Sequence, residues 1–348
     1  MNGRNDESIL EPTRPIIDPH HHLWDLSRRV AASAAPRDPF DDVRVHTPRY
    51  LLDELLADLN SGHNIRATVH LECDSMYRAS GANEMAPVGE TEFVNGIAAM
   101  GASGTYGDGR PCAGIVGYAD LTLGSRVMAV LEAHTMAGGG RFRGIRQSAA
   151  YDADPNVVAP SPRRRPGLLR DAGFREGFRC LARFGLSFDA WLLEPQLPDL
   201  IDLARAFPDT PICLDHVGAP LGTGVYAGKR ADRFHIWRAN IELLAQCENV
   251  YVKLGGLGMH YAAFPSYMAE PPASSAQLAD EWRPFIDACI EAFSPSRAMF
   301  ESNFPVDALT CNYAKLWNAF KLLARPYSED EKHELFFATA ARFYRLQV

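Results

Sequence analysis

Short apolar runs alternate with amphipathic stretches along almost all of the 348 residues, and that alternation limits the fold more than any other feature. β-rich runs are read over 15–19, 65–72, 113–121, 142–145, 186–192, 211–216, 250–253 and 298–301. Helical patterns separate them over 47–59, 90–100, 125–136, 170–184, 197–207, 231–247 and 275–293, and two more close the chain over 313–323 and 329–344. Thr47 reads as the N-cap of the first helix and Pro48 as its first residue. Strand–helix alternation implies parallel strands joined by right-handed crossovers. Eight such units predict an α/β fold, a distorted (β/α)8 TIM barrel, as a single domain over 15–348 behind a flexible tail at 1–14.

Composition narrows the function. With 47% hydrophobic and 22% charged residues the chain can bury a sizeable core. A net charge of -8 argues against general binding to nucleic acid or an anionic membrane. No apolar run reaches membrane-spanning length, and the polar first 15 residues hold no apolar signal core. Seven scattered cysteines without a CxxC pair suit a reducing cytoplasm. The expected partner is a small molecule, with self-association as the one macromolecular contact. Arg163-Arg164-Arg165, set between prolines, reads as a solvated loop.

The chemistry-bearing residues fall where the apolar runs end. Ile16-Ile17-Asp18-Pro19-His20-His21-His22 ends the first run, and a period of two puts Asp18, His20 and His22 on one face with His21 opposite. Paired imidazoles there can grip a metal or a carboxylate. Later runs end in Glu72, Arg146, Asp189 with Trp191 on the same face, His216, Lys253, Glu301 and Asn303. In a parallel barrel all of these reach one rim. Loops after strands are polar in any case, so Lys253, Asp189 and Glu72 singly fit a structural reading as well as a functional one. Cys73 and Cys213 read as packing. Gly255-Gly256-Leu257-Gly258 lacks the spacing of either glycine-rich nucleotide fingerprint, and reads as a tight turn that brings backbone close to the pocket. There is no GxSxG elbow to support a serine hydrolase. Loops 28–46, 75–89, 148–166 and 259–274 would shape the pocket.

Taken together, Asp18-x-His20-x-His22, Arg143-Gly144-Ile145-Arg146, Leu214-Asp215-His216-Val217-Gly218, Val252-Lys253-Leu254-Gly255 and Met299-Phe300-Glu301-Ser302-Asn303-Phe304-Pro305 resemble the amidohydrolase-2 group, the lactonase-like branch of the amidohydrolase superfamily. The resemblance spans residues 15–345, and implies a barrel enzyme in which water opens a sugar or dicarboxylate lactone. It implies a ligand or electrophile role for His20 and His22 and a substrate or metal role for His216; the three could together hold one zinc ion, although many members of the branch work without metal. It gives Arg146 an anionic substrate to bind. Asp189, Trp191, Lys253 and Asp307 are read beside it as further substrate contacts. The pattern departs at Asn303, where the family places an Asp that acts as general base. A neutral amide cannot take a proton from water, so Glu301, Asp307 or Glu72 must substitute, or the chemistry differs. The rival expectations are non-oxidative decarboxylation of an aromatic or unsaturated acid, and a lapsed barrel that only binds a ligand or metal.

Overall fold

The computed structural model describes residues 7–32 and 41–348. Eight parallel strands follow one another in the order of the chain: β1 (Pro15–His21), then, after a two-strand ribbon of β2 (Trp24–Asp25) and β3 (Arg49–Tyr50), β4 (Asn64–Leu71), β5 (Arg110–Gly117), β6 (Phe142–Arg146), β7 (Ser187–Ala190), β8 (Ile212–Leu214), β9 (Val250–Leu254) and β10 (Ala298–Phe300). Sequential pairing of parallel strands with a helix in each crossover yields the expected (β/α)8 barrel. The barrel is nearly closed. Its last seam is made beyond the end of β10, where His22 N donates to Phe304 O at 2.8 Å and Asn303 N donates to His20 O at 2.9 Å.

Two apolar layers hold the barrel. Ile17, Val69, Leu71, Val116, Cys213 and Met299 pack against Phe343 and Tyr344 from the chain's end, while Ile16, Ile115, Ile145, Phe188, Ile212, Leu254 and Phe300 face the helices. Each buried Leu, Ile or Phe contributes roughly 1.5–3 kcal/mol. Cys213 is wholly buried in this packing, and all seven cysteines are free. Among the described residues no helix is long and apolar enough to cross a membrane.

The sequence reading needs four local corrections. The first helix begins at Leu52 rather than Thr47, because 47–50 is drawn into the ribbon: Trp24 Nε1 donates to Thr47 O at 2.8 Å, and Glu54 Oε2 takes the Leu51 N–H at 2.9 Å. The segment 28–46, read as loop, carries short helices at Ser27–Ala32 and Asp41–His46, and 33–40 lie outside the described residues. The closing helix is broken by a wide turn at Glu334–Ala338. Residues 7–14, expected within a loose tail, are hydrogen bonded: Leu10 N donates to Asn318 Oδ1 at 2.9 Å, and Lys321 Nζ donates to Leu10 O at 2.8 Å.

Candidate active site

The first strand does not keep a strict period of two. Asp18 pairs with Thr68 and His21 with His70, so three residues of β1 oppose two of β4. An extra residue of this kind re-aims side chains. Asp18 consequently does not share the work of His20. Its carboxyl bolts the barrel seam, accepting Ser302 N at 3.0 Å, Ser302 Oγ at 2.6 Å and Tyr313 Oη at 3.0 Å. His21 turns to Thr68 Oγ1 at 2.8 Å.

His20, His22 and His216 meet at the C-terminal mouth. The His20 ring centroid is 4.9 Å from that of His22 and 4.6 Å from that of His216. His216 lies just past β8, at φ +56°, and Val217 follows at φ +48°. Non-glycine residues held there cost on the order of 1–3 kcal/mol each, strain that clusters at functional sites. Trp191 meets the His216 ring edge-on at 5.1 Å. Gly256, at φ +65°, leaves room for that ring: a Cβ there would stand 2.3 Å from His216 Nδ1. Gly256→Ala should therefore displace His216 and cost about 1–3 kcal/mol. Urea unfolding reads the loss, and an unchanged midpoint would show that the ring has slack.

Glu301 joins two of the histidines. Its Oε1 accepts His216 N at 3.0 Å and faces His216 Nδ1 at 2.7 Å. Its Oε2 lies 2.6 Å from His20 Nδ1, off the direction of a hydrogen bond, and has no hydrogen-bond partner. His22 Nδ1 is held by Leu71 O at 2.8 Å, which turns its Nε2 toward His20 Nε2 at 3.2 Å. Burial first, then neighbouring cations, push His20 and His22 far below the usual imidazole range, so both rings are neutral. The convergent donor set is thus His20, His216 and Glu301, whose donor atoms lie within 4.8 Å of one another. The set expected from the sequence had His22 in place of Glu301.

Beneath this set runs a buried charge network. Lys253 Nζ meets Asp189 Oδ1 at 2.7 Å and Asp215 Oδ1 at 2.9 Å, and approaches His20 Nδ1 at 3.3 Å. Burial alone would lower the pKa of Lys253, but the two carboxylates outweigh it and keep the ammonium charged. Arg146 Nε donates to Glu72 Oε1 at 2.8 Å, and Arg146 Nη1 stands 3.5 Å from Asp215 Oδ2. Three carboxyl groups, Glu72, Asp189 and Asp215, thus share two cationic side chains, while Glu301 pairs with the imidazoles alone. The excess of carboxyls, the unsatisfied Glu301 oxygen and the N, N, O donors fit a divalent metal ion.

A pocket of about 220 Å³ opens above. His22, Glu72, Arg146, Trp191, His216 and Asn303 line it. Asp189, Lys253 and Asp307, expected to touch substrate, do not line it, and neither do His20 and Glu301, which the site reaches through His216 and His22. Asp307 instead accepts Asn303 Nδ2 at 2.9 Å and Gly258 N at 3.3 Å, and burial pushes it up to about 7. Arg163 and Arg165 of the triplet are exposed, as a solvated loop requires, and Arg163 and Arg164 also edge this pocket with Arg44. Arg163 pairs with Asp74 and stands over the rings of Tyr118 and Tyr77, at 4.9 and 5.7 Å. Asp215 was passed over in the sequence although it directly precedes His216. Tyr344, which bonds Asp189 Oδ1 at 2.5 Å, carried no signal beyond its place in a terminal helix.

A profile of the amidohydrolase family matches residues 17–346. The "uncharacterized protein y4mH" of Sinorhizobium fredii is 35% identical over 334 residues, 95% of this chain and 98% of that protein. An L-fucono-1,5-lactonase of Burkholderia multivorans is 28% identical over 239 residues, 67% of this chain and 72% of the lactonase. Among solved structures, an amidohydrolase from Burkholderia multivorans with bound zinc superposes with a TM-score of 0.70 at 24% identity, covering 95% of this chain and 99% of the other. The 5-carboxyvanillate decarboxylase of Sphingomonas paucimobilis gives 0.56 at 14% identity, covering 96% and 100%. At such identities the two structures speak for the barrel alone. The chain belongs to the amidohydrolase family, as an enzyme on the lactonase-like branch of its superfamily.

Proposed function

We propose that this enzyme hydrolyses a lactone, of sugar or dicarboxylate type, that carries an anionic group. The observation that supports this reading best is the Glu301 carboxylate set between His20 and His216 at the foot of an arginine-edged pocket. It supplies an acid to the histidine cluster where Asn303 cannot. His20, His216 and Glu301 would hold the metal, with zinc favoured by two imidazoles and a carboxylate. When bound, such an ion would polarise the lactone carbonyl as a Lewis acid.

The chain's own groups divide the remaining work. Arg163 and Arg164 at the rim would receive the anionic substituent, and Arg146 at the floor would donate to the carbonyl oxygen. Glu72 lines the pocket, and burial pushes it up to about 7 even though Arg146 pulls the other way. A carboxyl poised there suits general base work. Glu72 takes one proton from water as the oxygen adds to the carbonyl carbon. As the ring C–O bond breaks, the same proton passes to the leaving alkoxide, and the product is an open hydroxy acid.

The base must be ionised, and its pKa lies above the usual carboxyl range. kcat/KM should therefore rise with pH through about 7 and level off above it. Glu72→Gln should remove that limb and lower kcat/KM by about 10²–10⁴-fold. An unchanged profile in the variant would transfer the role to another group. The assignment as a whole is tested by lactone turnover before and after chelator treatment, in wild type and in His20→Ala and His216→Ala. Turnover should fall after chelation, return with zinc, and be lost in both variants. Undiminished turnover in both variants would remove the histidines from the mechanism, and carbon dioxide release would select decarboxylation.

A further inference from the structure

A second group of metal-binding residues lies beside the pocket. β4 carries His70, Cys73 follows its end, and Glu90 stands on the helix Val88–Ala102. Cys73 Sγ is 3.2 Å from Glu90 Oε1, and His70 Nε2 is 3.3 Å from the same oxygen. The three donor atoms lie within 4.8 Å of one another. His70 and Glu90 are buried, while Cys73 reaches the pocket wall.

This group is incompletely satisfied. Glu90 Oε2 and His70 Nδ1 are both buried without a hydrogen-bond partner. Glu90 makes its contacts to His70, the Cys73 thiol and the Cys73 N–H, and no lysine or arginine forms an ion pair with it among the described residues. A buried carboxyl without a cation is costly to keep.

We propose that His70, Cys73 and Glu90 form a second cation site, taking a divalent ion of borderline softness such as zinc. A thiolate, a carboxylate and a neutral imidazole together cancel a charge of +2, and sulfur, nitrogen and oxygen are the donors zinc accepts. Sγ binds as the thiolate, its proton passing to solvent. A further ligand would reach such an ion from the pocket, which Cys73 lines. Glu72 lies between two of the ligands in sequence, so an ion here would fix the strand end that presents it. The proposal is independent of which bond the enzyme breaks.

Cobalt(II) is the probe, because only this site contains sulfur. Chelator-treated protein loaded with Co²⁺ should show a near-ultraviolet thiolate-to-cobalt charge-transfer band in wild type and in Glu301→Gln, and none in Cys73→Ser. Zinc counted by elemental analysis should fall by one equivalent per chain in Cys73→Ser and again in Glu90→Gln, each compared with wild type. If wild type shows no thiolate band, or Cys73→Ser retains both the band and the zinc, the site is overturned.

Discussion

Glu301→Gln should lower lactone turnover by about 10³-fold while the chain stays folded. The substitution keeps the shape of the side chain and removes its charge. In the native site one carboxylate serves two imidazoles, at 2.7 Å from His216 Nδ1 and 2.6 Å from His20 Nδ1. An amide offers one acceptor oxygen and two N–H donors, so it cannot be an anionic partner to both rings. Metal binding, proposed for His20, His216 and Glu301, should be weakened in the same variant, which elemental analysis reads directly. Stability should change little, because Glu301 pairs with imidazoles rather than with Lys253 or Arg146. A variant that keeps wild-type turnover would show that Glu301 is structural and would reopen the case for Asp307.

Lys253→Met should cost about 3–5 kcal/mol of stability. The ammonium is completely buried and sits 2.7 Å from Asp189 and 2.9 Å from Asp215. Methionine matches its length but leaves the Asp189–Asp215 pair without its shared cation. Tyr344 still donates to Asp189, and Arg146 still lies near Asp215, so both acids keep one partner. What is lost is the charge that holds Asp215 below the usual carboxyl range despite its burial. Urea unfolding of the variant against wild type measures the effect. A loss under about 1 kcal/mol, the range of an exposed pair, would show that water reaches the network.

Much of the architecture was legible because it depends on local pattern. Apolar strands ending in polar residues, with helices between, force parallel pairing, and parallel pairing carries every strand end to one mouth. That logic brought His20 and His216 together from nearly two hundred positions apart. The parts that escaped depend on geometry that no short-range pattern encodes. The extra residue in β1, which separates the roles of Asp18 and His20, arises from its pairing with β4. A choice among Glu72, Glu301 and Asp307 needed distances, since all three follow strands and all three are acids. Asp189 and Lys253 were noticed as polar, but whether they face the pocket or its underside depends on how deep each strand ends. The arginine triplet is a solvated loop, as read, but its place at the pocket edge was hidden, because a charge run does not tell where its loop will lie.

In the proposed reaction, water opens an ester ring in the pocket above His20, His216 and Glu301. Mass spectrometry of the product formed in ¹⁸O-labelled water, from a panel of anionic lactones, tests it most directly. The expected product is heavier than its substrate by one water, with a single labelled oxygen in the new carboxylate, and none is formed by Glu301→Gln. Loss of carbon dioxide from substrate, or unaltered lactone throughout the panel with fully metal-loaded enzyme, would contradict it.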